Sequence, residues 1–471
     1  MRVLLVNPPD AHKARLPGVS LLLREFVPPL GLLYLKSYLA RESKAEVELY
    51  NFQLPAEPTL QDFRAFLVSF RPDIVGITAN TFYWYDVCRT ASVVRETLPA
   101  AVLVAGGPHV GLFPEESLDG GGFDVMLHGE ARASFAELIE RAREGRGFAG
   151  LPGAIYRDRG EVVVSPSVPM EGDPDRYPPP ERVPSGDSPY RNVTHDFTRT
   201  AVVLTSFGCP YRCTFCSNRK RDYSGRRVDR VVDEILACKA LGFQSIDVHD
   251  PNLCMSRDHV TALCEAMIER RVDLPWVCRA RVDSVDGPTL RLMARAGCRR
   301  VGFGVESGNQ RVLDEVGKGI TLEQSRAAIA MCREAGIETV GFYMIGFPGE
   351  TREEALRTID FALDAAPDFL ALNILLPAPG SDLYDRAIQD PAFGGDYVRS
   401  FVARPVPDFV FRPWPGVLSE RDLLGLQRRA YLRFYLRPRA LARTLRRASR
   451  PATLMTKVRL VGRLLAGPRY G

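Results

Sequence analysis

Three cysteines, Cys209, Cys213 and Cys216, stand within "SFGCPYRCTFCSN" (206–218). An odd number of thiols cannot all pair as disulfides, and three ligands leave a structural zinc site one short. Thiolates are soft ligands that favour zinc, copper(I) or iron–sulfur clusters. A four-iron cube held by three thiolates keeps one iron without a protein ligand, and a substrate can occupy that position. The alternative is a zinc site completed by a distant Cys254 or His249. The other seven cysteines are scattered singly, which argues against a secreted disulfide framework and for a reducing compartment.

Elements that could position such a trio are legible on both sides of it. Residues 1–150 alternate short apolar runs, such as "RVLLV" at 2–6 and "AVLVAGG" at 101–107, with segments of helical spacing. This pattern predicts a parallel, doubly wound Rossmann-like sheet, followed by a hairpin turning at Arg159-Gly160. Residues 165–189 hold eight prolines in 25 positions and read as a linker. After it, strands are expected at 201–206, 245–250, 275–282, 300–307, 339–346 and 369–376, with helical patterns between them. Six β-α units predict a partial (β/α)6 TIM barrel, with its chemistry at the C-terminal strand ends. The expected domains are 1–150, a hairpin and linker at 151–195, the barrel at 196–400, and a helical C-terminal region at 401–471.

The net charge is +5, yet Leu423–Gly471 carries thirteen Lys or Arg and no acidic residue, so the remainder is net −8. Arginines on one helical stripe after Pro438 suit an anionic membrane surface and would equally suit an anionic substrate or RNA, though a solvated terminal helix packed on the barrel has the same pattern. No apolar run approaches the ~18 residues of a membrane span, and no signal peptide is apparent. The expected location is the cytoplasm, with peripheral membrane contact through the tail.

Cys-x3-Cys-x2-Cys with Phe215 before the third cysteine resembles the signature of the radical S-adenosylmethionine (SAM) superfamily. "GFGVESGNQRVLDEVGKGIT" at 302–321 resembles its fourth-strand segment, in which Glu306 would contact the ribose or methionine part of SAM. "GFYMIGFPGET" at 341–351 resembles the fifth-strand segment along the adenine, with Gly341, Ile345 and Gly346 as candidates. "LLPAPGSDLY" at 375–384 resembles the stretch ending the sixth strand. "VHDPNLC" at 248–254 stands where many members have Gly-Gly-Glu, so Asp250 is the candidate for the amino group of SAM; capping a loop is its other role.

In the first domain, "MRVLLVNPP", "GIT" at 76–78, "VAGGPHV" at 104–110 and "LHGEA" at 127–131 resemble the cobalamin-binding domain of cobalamin-dependent radical SAM enzymes. Pro8, Thr78, Gly106, Gly107, His109, Gly129 and Glu130 are the candidate cobalamin-binding residues. Gly106 and Gly107 would let the backbone come close to a bulky ligand. His12 stands where methionine-synthase-like domains carry a cobalt ligand, but Arg15 replaces the glycine of that motif, and an exposed loop histidine is the simpler reading.

The resemblance implies an enzyme with a [4Fe–4S] cluster, SAM and cobalamin, reduced by a partner such as flavodoxin or ferredoxin. SAM would be cleaved to methionine and a 5′-deoxyadenosyl radical, which abstracts hydrogen from an unactivated carbon. Methyl transfer to a lipid, tetrapyrrole or other secondary metabolite would follow. Oxidative cyclisation or ring rearrangement without methyl transfer, and a non-catalytic iron–sulfur or corrin carrier, are the alternatives. No nucleic-acid partner is expected, because methylthio transfer to tRNA usually needs a second cluster and the remaining cysteines form no second tight group.

Overall fold

The computed structural model describes residues 1–12, 27–54, 56–169, 173–186, 199–217 and 221–437. They divide into two compact units. The first contains the described residues of Met1–Arg15, Phe26–Asn192 and Gly394–Phe411; the second is built on Val193–Phe393 and continues from Arg412.

In the first unit, β1 (Arg2–Asn7), β2 (Glu46–Asn51), β3 (Ile74–Thr78), β4 (Val102–Gly106) and β5 (Val125–Leu127) are parallel, in the order β2-β1-β3-β4-β5. Val3–Val6 are wholly buried, as a strand covered on both faces requires. Gly76 in β3 leaves room for Phe135, whose ring would lie 2.9 Å from any Cβ there. The antiparallel β6 (Ala154–Asp158) and β7 (Glu161–Val164) extend the sheet. Their turn has positive φ at both Arg159 (48°) and Gly160 (91°), the backbone of a two-residue hairpin. Residues 394–411 return to this unit, where the Trp84 indole donates to the Val402 carbonyl at 3.0 Å. The expected boundary at 400 therefore falls inside a segment that packs elsewhere.

In the second unit, β8 (Thr200–Val203) is followed by an antiparallel pair, β9 (Ser206–Cys209) and β10 (Arg221–Gly225). Then come β11 (Ser245–Val248), β12 (Trp276–Ala280), β13 (Cys298–Glu306), β14 (Glu338–Ile345) and β15 (Phe369–Ile374). β8 and β11–β15 form one parallel sheet in sequential order, the partial barrel expected. The strand expected at 201–206 stops at Val203, and Ser206 begins the separate hairpin, which brackets the cysteine loop.

Among the described residues the sheet does not close, and a helix covers the free edge of β15. From Glu420–Tyr435, the Tyr431 hydroxyl bonds both N–H and C=O of Leu372 at 3.2 Å. Tyr435 does the same at Leu370, and Gln427 donates to the Leu372 carbonyl at 2.7 Å. The open edge is thereby satisfied within the chain. This part of the basic tail packs on the barrel; the arginine stripe after Pro438 lies outside the described residues. No described helix is long and apolar enough to cross a membrane.

Candidate functional site

The cysteine loop is held by its backbone. Thr214 N–H donates to the Val316 carbonyl at 2.9 Å, and the Thr214 carbonyl accepts from Leu383 N–H at 2.9 Å. Cys216 N–H closes a turn onto Cys213 at 3.1 Å. Phe215 packs with Phe347, Val316, Leu375 and Leu383, so an aromatic residue between the second and third cysteines anchors the loop. Cys213 is buried, and Cys209 and Cys216 are half-buried. Among the described residues no three His, Cys, Asp or Glu converge as ligands of a single ion would. Thiolates that each meet a different iron of a cube need no such convergence. Cys254, offered above as a fourth zinc ligand, is turned into the core against Met293.

Two side chains that the sequence reading did not single out act on Cys213. Lys318 Nζ and the Arg281 guanidinium oppose the upward push of burial on its thiol, and Arg281 lies over the Tyr211 ring at 3.6 Å. Lys318 is paired with Glu306 at 2.7 Å. Glu306 closes β13 with φ of 67°, after a register shift between Gly304 and Glu306 against β14. The shift re-aims the carboxylate, and Gly304 makes room, since a Cβ there would lie 2.5 Å from Glu306 Oε1 and 2.8 Å from Lys318 Nζ. Positive φ on a non-glycine residue is the signal of an imposed geometry, and no sequence pattern announces it.

The remaining SAM candidates fall differently. Asp250 is fully buried: its Oδ1 accepts from Thr205 N–H at 2.7 Å, and its Oδ2 from the hydroxyls of Thr205 (2.5 Å) and Ser206 (2.7 Å). It fastens the end of β8 and the start of β9 to β11, so its carboxylate is spent on positioning the strand that carries Cys209 rather than exposed to a ligand. Gly341 faces the helices, where a Cβ would strike the Tyr343 ring at 2.6 Å, and the Ile345 side chain is wholly buried. Gly346 turns with φ of 90°, and its N–H donates to Glu350 at 2.6 Å. Glu350 also accepts from Phe347 N–H at 3.2 Å, and burial pushes its carboxyl up to about 7. An acid closing "GFPGE" could have been noticed as the group that satisfies that turn.

In the first unit the order β2-β1-β3 reverses direction between β1 and β3, the place where open α/β sheets receive ligands. In register, Gly106 lies between Thr78 and Leu127 at the strand ends. A Cβ on Gly106 would meet only Leu127 O, at 3.7 Å, so its surface is open, as a cradle for a bulky ring demands. Gly107 has φ of 108°, and a Cβ there would lie 2.7 Å from Ala79 O, so its glycine is also needed by the fold. The Pro8 carbonyl accepts from Gln53 Nε2 at 3.0 Å. Gly129, with φ of 81°, lies against the Val168 carbonyl, and Glu130 is held by Arg132 through bonds of 2.6 and 2.7 Å.

His109 is turned into the core. It is fully buried against Trp84, with Nδ1 2.9 Å from Thr81 Oγ1 and Nε2 3.1 Å from Ser117 Oγ. Burial lowers its pKa to about 3, so it stays neutral. His12 is half-exposed, its Nδ1 2.8 Å from Oδ1 of the buried Asp86.

Residues 203–362 match the Radical SAM superfamily, and residues 19–139 match the B12 binding domain. An uncharacterised methyltransferase of Pyrococcus horikoshii, PH0819, is 31% identical, covering 94% of both chains. The anaerobic magnesium-protoporphyrin IX monomethyl ester cyclase of Rubrivivax gelatinosus is 28% identical over 87% of this chain and 74% of its own. The radical SAM methyltransferase TsrM of Kitasatospora setae shares the fold, with a TM-score of 0.69 and 23% identity over 82% of this chain and 74% of that one. A B12-binding sheet followed by a radical SAM barrel defines the class. The chain belongs to the cobalamin-binding radical SAM family and is a radical SAM enzyme.

Proposed function

We propose that this enzyme methylates an unactivated carbon of a small molecule, with a lipid, a tetrapyrrole or another secondary metabolite as the substrate class. The observation that carries the reading is the match to a methyltransferase along nearly the whole of both chains. Cys209, Cys213 and Cys216 would hold the [4Fe–4S] cluster. Phe215, Glu306 and the backbone around Gly346 would receive SAM, with Lys318 beside Glu306. Pro8, Thr78, Gly106, Gly107 and Gly129 would form the cobalamin cradle. When bound, these groups supply hydrogen abstraction and a transferable methyl group; the protein supplies placement and exclusion of water.

The residues' own work follows from their contacts. The Thr214 bonds and the Phe215 packing hold the cysteine loop through contacts with the rest of the chain, and a loop held by the fold lowers the ordering cost of assembly. The bulge and positive φ at Glu306 hold a carboxylate and an ammonium ready for the polar parts of SAM. A flavodoxin- or ferredoxin-class protein would be the reductant. The nine Lys and Arg after Pro438, with no acidic residue among them, support contact with an anionic membrane surface, each engaged residue worth about 1 kcal/mol there.

The likeness to the cyclase favours a second reading, oxidative ring formation by the same machinery. Anaerobic incubation with SAM, cobalamin, reductant and candidate lipid or tetrapyrrole substrates, followed by mass spectrometry, separates the two. A product heavier by one methylene supports methylation; loss of hydrogens without added carbon supports cyclisation.

A further inference from the structure

We propose that Arg281 is a positioning residue that ties the cysteine loop to the barrel and raises the reduction potential of the cluster held there. The proposal rests on the cluster reading above. Arg281 follows β12 and is 6% exposed. Its guanidinium stacks on Tyr211, and Nη1 lies 3.9 Å from Cys213 Sγ. Nη2 donates to the Lys318 carbonyl at 2.7 Å, and Nε and Nη2 each reach the Asp283 carboxylate at 2.9 Å. Its backbone N–H donates to Asn252 Oδ1 at 3.1 Å. One side chain thus joins the cysteine loop to the segments after β12 and after β13. Only a planar fork with five donors can stack, bridge and bond in this way at once; a lysine would offer the charge without the fork.

The electrostatics distinguish Arg281 from the other cation. The Lys318 ammonium acts on the Cys213 thiol too, but against the Glu306 carboxylate 2.7 Å from it. Asp283 binds Nε and Nη2 of Arg281, and Nη1 is the nitrogen that faces sulfur. Burial keeps water from screening this N–H, so its field at the thiolate is strong. Charge and hydrogen bonds at the ligating sulfurs set a cluster's potential. A donor at Cys213 favours the reduced, more negative cluster, and Asp283, as the counter-charge, opposes it. Removing each should therefore shift the potential in opposite directions, whereas a purely structural role would not give opposed signs.

The test uses the full chain, reconstituted anaerobically, with iron content and EPR-monitored redox titration of wild type and variants without SAM. Arg281→Gln is expected to lower the midpoint by about 60 mV or more, a tenfold change in a one-electron equilibrium. Asp283→Asn, which leaves the fork on Tyr211 and Cys213, is expected to raise it. Arg281→Lys is expected to fall between wild type and Arg281→Gln. A wild-type potential in an iron-replete Arg281→Gln protein overturns the proposal, as do shifts of one sign in Arg281→Gln and Asp283→Asn. If Arg281→Gln loses its iron, an unchanged or lowered potential in Asp283→Asn is enough to overturn it. A wild-type protein that binds no cluster at all would instead end the cluster reading.

Discussion

Lys318 Nζ lies 2.7 Å from Glu306 Oε1, with the two side chains only 7% and 11% exposed. Neither charge can be left alone at that depth. Glu306→Ala should cost about 3 kcal/mol, because an unpaired ammonium remains buried. Adding Lys318→Met should recover much of that loss. Chemical denaturation of the wild type and the two variants checks this; a double variant no more stable than Glu306→Ala would show that packing, not charge, dominates here.

The two adjacent glycines of the first unit should respond differently. Gly107 combines φ of 108° with the 2.7 Å approach of Ala79 O, so Gly107→Ala should destabilise the protein by about 2 kcal/mol whether or not cobalamin is present. Gly106 has open space, and Gly106→Ala should leave stability within about 0.5 kcal/mol of wild type. A larger side chain, as in Gly106→Leu, should weaken cobalamin binding by filling the cradle. Thermal unfolding and spectroscopic titration with cobalamin separate the two effects.

His109 makes stability fall in acid. It stays neutral when folded, with its pKa lowered to about 3, while in the unfolded chain it takes up a proton below about 6.5. Its stabilising contribution is complete above that value and shrinks as pH falls towards 3. At pH 5 the loss is about 2 kcal/mol. The stability gap between wild type and His109→Asn should therefore narrow between pH 7 and pH 5, measured by denaturation at each pH.

Glu350 acts in the opposite sense. Its carboxyl is raised from 4.5 to about 7 by burial, against the N–H groups of Gly346 and Phe347 that favour ionisation. The folded protein keeps a proton that the unfolded chain releases, so stability declines as pH rises from 4.5 through 7. The full difference by pH 8 is on the order of 3 kcal/mol. Glu350→Gln should lose this slope, and calorimetric midpoints from pH 5 to 8 would reveal it. An unchanged slope in the variant would assign the effect to another group.

What the chain decides by itself is its periodicity and its spacing. A parallel strand covered on both faces must be apolar throughout, so "RVLLV" is legible as β1 and the alternation as two wound sheets. The cysteine spacing is local too, since loop length bounds what the thiols can reach. Side-chain direction, by contrast, was settled by partners far along the chain. Asp250 turned inward because Thr205 and Ser206, some 45 residues earlier, offered three donors. His109 was drawn into the core by Trp84, Thr81 and Ser117, although its glycine neighbours suggested a ligand. Lys318 and Arg281, unremarkable in sequence, reach Cys213 because β12 and β13 end beside the loop, and because a bulge rotated Glu306 towards Lys318. A buried polar group must find its partners wherever the fold brings them. Those partners are set by strand register and chain return, which no window of neighbouring residues contains.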